Sequence, residues 1–384
     1  MSEYQYYEFL ALERSLTADE MAKLRDLSSR GRITPISFSN FYNWGNFSGD
    51  SRELMRRMFD VHVYVANWMT AVLMIRVPLA VLSDALVEAF EDGHCLEFEA
   101  TKSHWVITWI LEESTNYDRF GAEDGEGWMA RLAPLRDELL RGDLRGLYIG
   151  WLASLAKGEF DDDDPEPLLL EGLGELTPAQ RDLARFLELD EDILSGAAIG
   201  SPPLKAVNLS NQEVDAWLEA LPRDEVFALL KQLMDGQGVE AKQGLRRRFL
   251  AWQSERAGAK QYGAARAVGD IRANAEVAKE ERLEKERLAK ERQERQRRER
   301  REAHLVALAK DFPKHWKAVE KLLERSIGKS YDEAKALLVD LADAYGLQED
   351  RPIFSRHLNE LVQRNLRRKA FVERLVKAKL WKER

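Results

Sequence analysis

Residues 279–302 read KEERLEKERLAKERQERQRRERRE, and only Leu283, Leu288 and Ala289 in that run are apolar. So little apolar surface builds no core. Nor does it line a two-stranded coiled coil, which needs an apolar residue every 3.5 positions over several heptads. Leu283 and Leu288 are five apart, and residues 290–302 contain no apolar side chain. What remains is pairing along one helix: Glu281 with Lys285, Glu286 with Lys290, Glu291 with Arg295, and Glu294 with Arg298. An acid four residues before a base is the better order, worth about 0.2–0.5 kcal/mol per pair, and good helix formers fill the rest. A helix that is polar all round bridges parts of a protein through solvent. The run predicts a long charged spacer helix within 258–310, with Gly258, Gly263 and Gly269 leaving its upstream limit open. A disordered charged linker is the competing reading.

The chain around this helix has 384 residues, enough for two or three domains. Its net charge of −9 conceals a split. Residues 1–200 carry 18 Lys+Arg against 37 Asp+Glu, and residues 201–384 carry 40 against 30. The acidic pole is 159–192, with 13 acids and 2 bases. The two halves are therefore different electrostatic objects. No stretch offers 18 consecutive apolar residues, which predicts no membrane span. The start, MSEYQYYEFLALERS, lacks the basic region, apolar core and small-residue site of an export signal, and a cytoplasmic protein is expected. Cys95 is the single cysteine, so an intrachain disulfide and a multi-cysteine metal site are excluded.

Read along the chain, the fold expected is an α+β N-terminal domain followed by an all-α region with a long charged helix and a C-terminal helical bundle. The expected boundaries are 1–158 for the α+β domain, 159–175 for an acidic linker, and 176–257 for a cluster of short helices. The spacer helix follows at 258–310, and a basic helical domain at 311–384. Strands are expected at 4–12, at 71–78 and in a hairpin of CLEFEA with WVITWILEE, where Glu97 and Glu99 face water. ITPISFSNFYNWGNF reads as a strand leaving into a turn-rich loop. Capping boxes open helices at Thr17, Thr177, Ser210 and Ser330, and Asp50 opens another. After Asp50, the spacing of Leu54, Met58, Val61, Val65 and Trp68 favours a helix to about residue 68 over the strand suggested by the alternation of Phe59, Val61, Val63 and Val65. A long helix is expected over 128–157.

Catalytic signatures are missing. GKS at 328–330 lacks the glycine that a P-loop places five residues earlier, where Leu323 stands, and Ser330 reads as a helix cap. His94, Cys95 and His104 make a poor metal set and read as ordinary strand and loop residues. No catalytic residue, cofactor site or metal site is predicted, which points away from an enzyme of a familiar class.

Two groups of residues are candidates for recognition. Phe41, Tyr42, Trp44 and Phe47 lie among Asn, Ser and Gly, where rings offer contact area at low entropic cost; rings covering the sheet edge are the bland alternative. Arg246, Arg247, Arg248, Arg295, Arg297, Arg298, Arg300, Arg301, Arg367, Arg368 and Lys369 form clusters able to contact phosphates or an acidic partner. One such acidic partner is the 159–192 region of this chain or of another copy. The segments YEFLALERSLTADEMAKLR, ITPISFSNFYNWGNFSGD and VYVANWMTAVLMIRVP resemble a family of uncharacterised bacterial proteins over roughly the first 80 residues. That resemblance implies a bacterial cytoplasmic protein and carries no activity. The function expected is a non-enzymatic interaction or scaffold subunit with a protein partner. The alternative is a nucleic-acid-associated protein that uses the arginines of the C-terminal half.

Overall fold

The computed structural model describes residues 4–112, 114, 125–204, 211–236, 238, 241, 244–245, 248–249, 252, 265–325 and 327–382. The chain divides into two compact units, Met1–Glu281 and Arg282–Arg384. An α+β region is followed by an all-helical one with a long helix and a bundle, as the sequence pattern indicates.

The first unit is built on strands β1 (Gln5–Leu10), β2 (Arg32–Thr34), β3 (Ser37–Tyr42), β4 (Val61–Ala66), β5 (Thr70–Pro78), β6 (Leu96–Ala100) and β7 (His104–Leu111). They pair antiparallel in the order β2-β3-β1-β4-β5-β7-β6. The register puts Phe9, His62, Met74 and Thr108 in one row on one face, and Val63, Leu73 and Trp109 in a row on the other. Helices α1 (Ala18–Leu27) and α2 (Ser51–Arg57) bring Leu24, Leu54 and Met55 into the core that contains Phe9 and Met74. The opposite face shares its larger core with α4 (Trp128–Leu132), α5 (Pro134–Leu140), α6 (Arg145–Ala156) and α7 (Pro178–Phe186). Helix α3 (Asp84–Phe90) adds Val87 and Phe90 to that core. Helix α8 (Glu191–Ala198) adds Ala197.

The helix expected to run from Asp50 to residue 68 is corrected. Asp50 does cap a helix, its Oδ1 accepting from the amides of Arg52 and Glu53 at 2.8 and 3.3 Å. That helix stops at Arg57, and residues 61–66 are a strand. Val61, Val63 and Val65 alternate onto the larger core, and pairing with β1 and β5 on both sides rewards extended backbone more than helical spacing does. The helix expected over 128–157 is three helices, broken where Pro134 begins α5 and where Gly142 takes a φ of 75°. The expected strand of 33–47 is the β2–β3 hairpin. Glu97 and Glu99, expected to face water, reach Arg52 and Arg56 of α2 at 2.5 Å. The Thr17 and Thr177 capping boxes close as read, while the one at Ser210 falls outside the described residues.

His62 stacks on Phe9, with ring centroids 3.9 Å apart, and its Nδ1 lies 2.9 Å from the Glu8 carbonyl. Burial pushes its pKa down from 6.5 to about 4. The unfolded chain therefore binds a proton between these values and the folded chain does not, so stability falls as pH drops through that window. Compared with H62Q in urea unfolding, the native chain is expected to lose up to about 3 kcal/mol between pH 7 and pH 4. A pH-independent difference between the two would count against this assignment.

Within 159–175, Leu170 and Leu173 join the larger core and Glu166 is buried. The helices that follow α8 are α9 (Asn211–Ala220) and α10 (Arg223–Met234). Helix α11 (Val268–Ala309) is 42 residues long, about 63 Å at 1.5 Å per residue. Its first turns place Val268 and Ile271 in the core of the first unit. Here Gly196 of α8 is required, because a β-carbon on it would sit 2.5 Å from the Ala275 backbone nitrogen. Between its ends α11 is exposed: Leu283 and Leu288 are 50% and 40% accessible. Its ion pairs include Arg282 with Glu286 and Arg287 with both Glu284 and Glu291. In Arg282–Glu286 and Arg287–Glu291 the base comes four residues before the acid, the weaker order.

In the second unit, Leu305 and Leu308 at the end of α11 pack with α12 (Phe312–Glu324), α13 (Gly328–Leu347), α14 (Arg351–Arg364) and α15 (Lys369–Lys377). Val319, Leu338, Leu341, Leu358 and Phe371 fill the centre, and Phe312 stacks on Tyr345 with centroids 3.7 Å apart. Ser330 is not the cap it was expected to be. Ile327 holds that position without a side-chain bond, and Ser330 lies buried in the first turn of α13.

Candidate functional site

A cluster of ionisable groups gathers beyond the end of β1, at the start of β4 and near the end of β5. Asp60 accepts from the amides of Leu12 and Glu13 at 2.6 and 2.7 Å and pairs with Arg76 at 2.8 Å. Arg136 donates to Glu13 at 2.6 Å and to the Arg76 carbonyl at 2.8 Å, and His104 lies 3.3 Å from Glu13. Both Asp60 oxygens are occupied by donors from the protein, and Asp60, Arg76 and Arg136 are buried. With its buried members satisfied in this way, the network braces the fold. His94, by contrast, sits 3.2 Å from Glu159, and Cys95 is buried. Among the described residues no group of His, Cys, Asp or Glu is arranged to hold a metal ion.

A second clip of this kind fixes the root of α11. Glu166, 1% exposed, accepts from the Tyr148 hydroxyl at 2.6 Å and from Arg266 Nε and Nη2 at 2.9 and 2.8 Å. Arg266 also donates to the carbonyls of Ala197 and Ile199, and Asp162 pairs with Arg272. The proximity of Glu166 and Tyr148 to Arg266 was not readable from their spacing. Asp162 and Glu166 lie in the stretch expected as an acidic linker, and their basic partners come from about a hundred residues away.

The aromatic candidates separate. Phe47 packs with Phe9, Phe38 and Tyr7 and is buried. Tyr42 is half-buried, its hydroxyl accepting from Asn40 Nδ2 at 2.6 Å. Phe41 is exposed and meets Tyr4 edge-on at 4.6 Å, while Trp44 is 73% exposed. The loop is held to the sheet by Gln5, which donates to Gly45 O and Asn46 Oδ1 and accepts from Tyr7 and Tyr64. Sequence reading passed over Gln5. Its signal was an amide on the same side of a strand as the rings of Tyr7 and Phe9.

The two units carry the same charge imbalance as the sequence halves, with the positive excess confined to a shorter stretch. The second unit holds 28 Lys+Arg against 18 Asp+Glu, and the first 30 against 49. Arg246 and Arg247 lie outside the described residues, and Arg248 pairs with Glu225 at 3.2 Å. Arg301 is tied to Asp340 and to Asp343, and His304 sits 3.0 Å from Asp340. Arg292, Arg295, Arg297, Arg298 and Arg300 are exposed. At about 100° per residue they are spread around α11 and do not share one stripe. Arg367 and Lys369 are exposed beside a half-buried Arg368 at the start of α15. A shallow groove of about 580 Å³ runs beside Arg297, Arg298 and Arg301, with Leu305 and Leu347 in its lining. No helix among the described residues is long and apolar enough to cross a membrane.

No protein-family model, curated protein or solved structure matches the chain.

Proposed function

We propose that the chain is a non-enzymatic interaction or scaffold subunit of a bacterial, cytoplasmic assembly, with α11 as its charged connector. The observation that carries this reading is the division of labour along α11. Its first turns belong to one core and its last turns to another, while its middle is polar and solvated. A helix stabilised at both ends needs no apolar seam between them. Affinity purification of the tagged full-length chain from its source cells, followed by cross-linking, is expected to recover a partner in near-stoichiometric amount. Recovery of nothing above background sinks the reading.

A nucleic-acid-associated role is the second reading, favoured by the concentration of excess positive charge in the second unit. It predicts that duplex DNA bound by the full chain is released steeply as salt rises, with affinity falling about 10³-fold between 50 and 200 mM if six phosphates are contacted. Fluorescence anisotropy that shows no binding at low salt removes this reading.

A further inference from the structure

We propose that the groove along the last turns of α11 docks an acidic amphipathic helix of a partner protein. The inference rests on the interaction-subunit reading and names its class of partner. The apolar part of the groove comes from Leu305 and from Leu347, which is 53% exposed at the end of α13. Arg297 and Arg298 stand beside it, exposed and with no ion pair among the described residues. Arg301, the third arginine, is already committed to Asp340 and Asp343, so it fixes α11 against α13. The groove is thereby formed before any ligand arrives, which lowers the cost of binding.

Its chemistry selects the occupant. A helix that carries apolar residues at i, i+3 or i+4, and i+7 can set them against Leu305 and Leu347 in the groove, while acids on its flank meet Arg297 and Arg298. Glu294 and Glu302 also line the groove and repel a continuous phosphate backbone. A peptide helix can set its own charges to avoid them. Excess positive charge on the unit speeds the approach of an acidic partner.

The test is selection of a displayed random-peptide library against the full chain. The selected pool is expected to converge on Leu, Phe or Trp at helical spacing with interleaved Asp and Glu. A synthetic copy of the selected peptide should bind R297E/R298E and L347E about tenfold or more weakly, while R292E/R300E, on other sides of α11, changes binding much less. Circular dichroism melts confirm that each variant is folded. No consensus, or undiminished binding to R297E/R298E, overturns the proposal. So does loss of duplex DNA binding in that variant without loss of peptide binding. A cellular partner that binds R297E/R298E as well as the native chain overturns the groove alone and leaves the interaction reading intact.

Discussion

Replacing Asp60 by alanine is expected to lower the stability of the first unit by about 3–5 kcal/mol, read as a shift in the urea midpoint of its unfolding transition. The carboxylate is 1% exposed and holds four donors: the amides of Leu12 and Glu13, and Nε and Nη2 of Arg76. Its removal leaves a buried guanidinium with only Glu13, 4.0 Å away, as counter-ion, and two amides without an acceptor. Each unmet group costs its own desolvation. The effect spreads, because Arg76 also donates to the carbonyls of Met55 and Arg56, and Arg136 is seated on the Arg76 carbonyl. Asp60→Asn should recover only part of the loss, since one amide hydrogen-bond donor must then face the existing donors. The contrast is Arg287→Ala on α11. It removes bonds to Glu284 and Glu291 at 2.7 Å, yet should leave the midpoint unmoved because both pairs are in water. Equal shifts in the two variants would show that burial is not what gives the Asp60 network its weight.

Glu166→Ala is the second change with a large expected effect, again about 3–5 kcal/mol. Its signature should be local. Val268 N donates to Asp164 O at 2.8 Å and Gly269 N to Asp162 O at 2.9 Å, so the first turn of α11 is anchored directly to the segment that carries Glu166. Hydrogen exchange at residues 266–275 should accelerate in the variant more than exchange in β4 and β5. Tyr148→Phe removes one bond to Glu166 and should cost much less, about 1 kcal/mol. If exchange at the root of α11 is unchanged, Glu166 does not fix it, and the connector reading loses one of its two anchors.

The parts of the fold that were legible in the sequence are those governed by neighbours along the chain. Thr17 with Glu20 and Thr177 with Gln180 satisfy their own helix starts, and no distant residue can easily overrule them. The charged helix was legible for the same reason, since a run without apolar residues has few alternatives. Residues 51–68 were misread because Val61 and Val65 fit both periods, and only strands β1 and β5 arriving on either side decide between them. Ser330 was misread because a hydroxyl at a helix start serves equally well as a cap or as a buried residue of the first turn.

The candidate sites divide along the same line. Arginines 292–301 announced a basic segment, yet their spread around α11, and the loss of Arg301 to Asp340 and Asp343, depend on where α13 lies. Trp44 and Phe47 are three residues apart in one loop, and the fold exposes one and buries the other. By itself the sequence determined charge, the Thr17 and Thr177 caps and the polar helix, because these are settled within a few turns of chain. Tertiary structure alone decided which acids are repelling neighbours and which are partners. Asp60 and Glu166 became anions of buried pairs only when Arg76 and Arg266 were folded against them, and energies of that kind depend on burial, which no local pattern specifies.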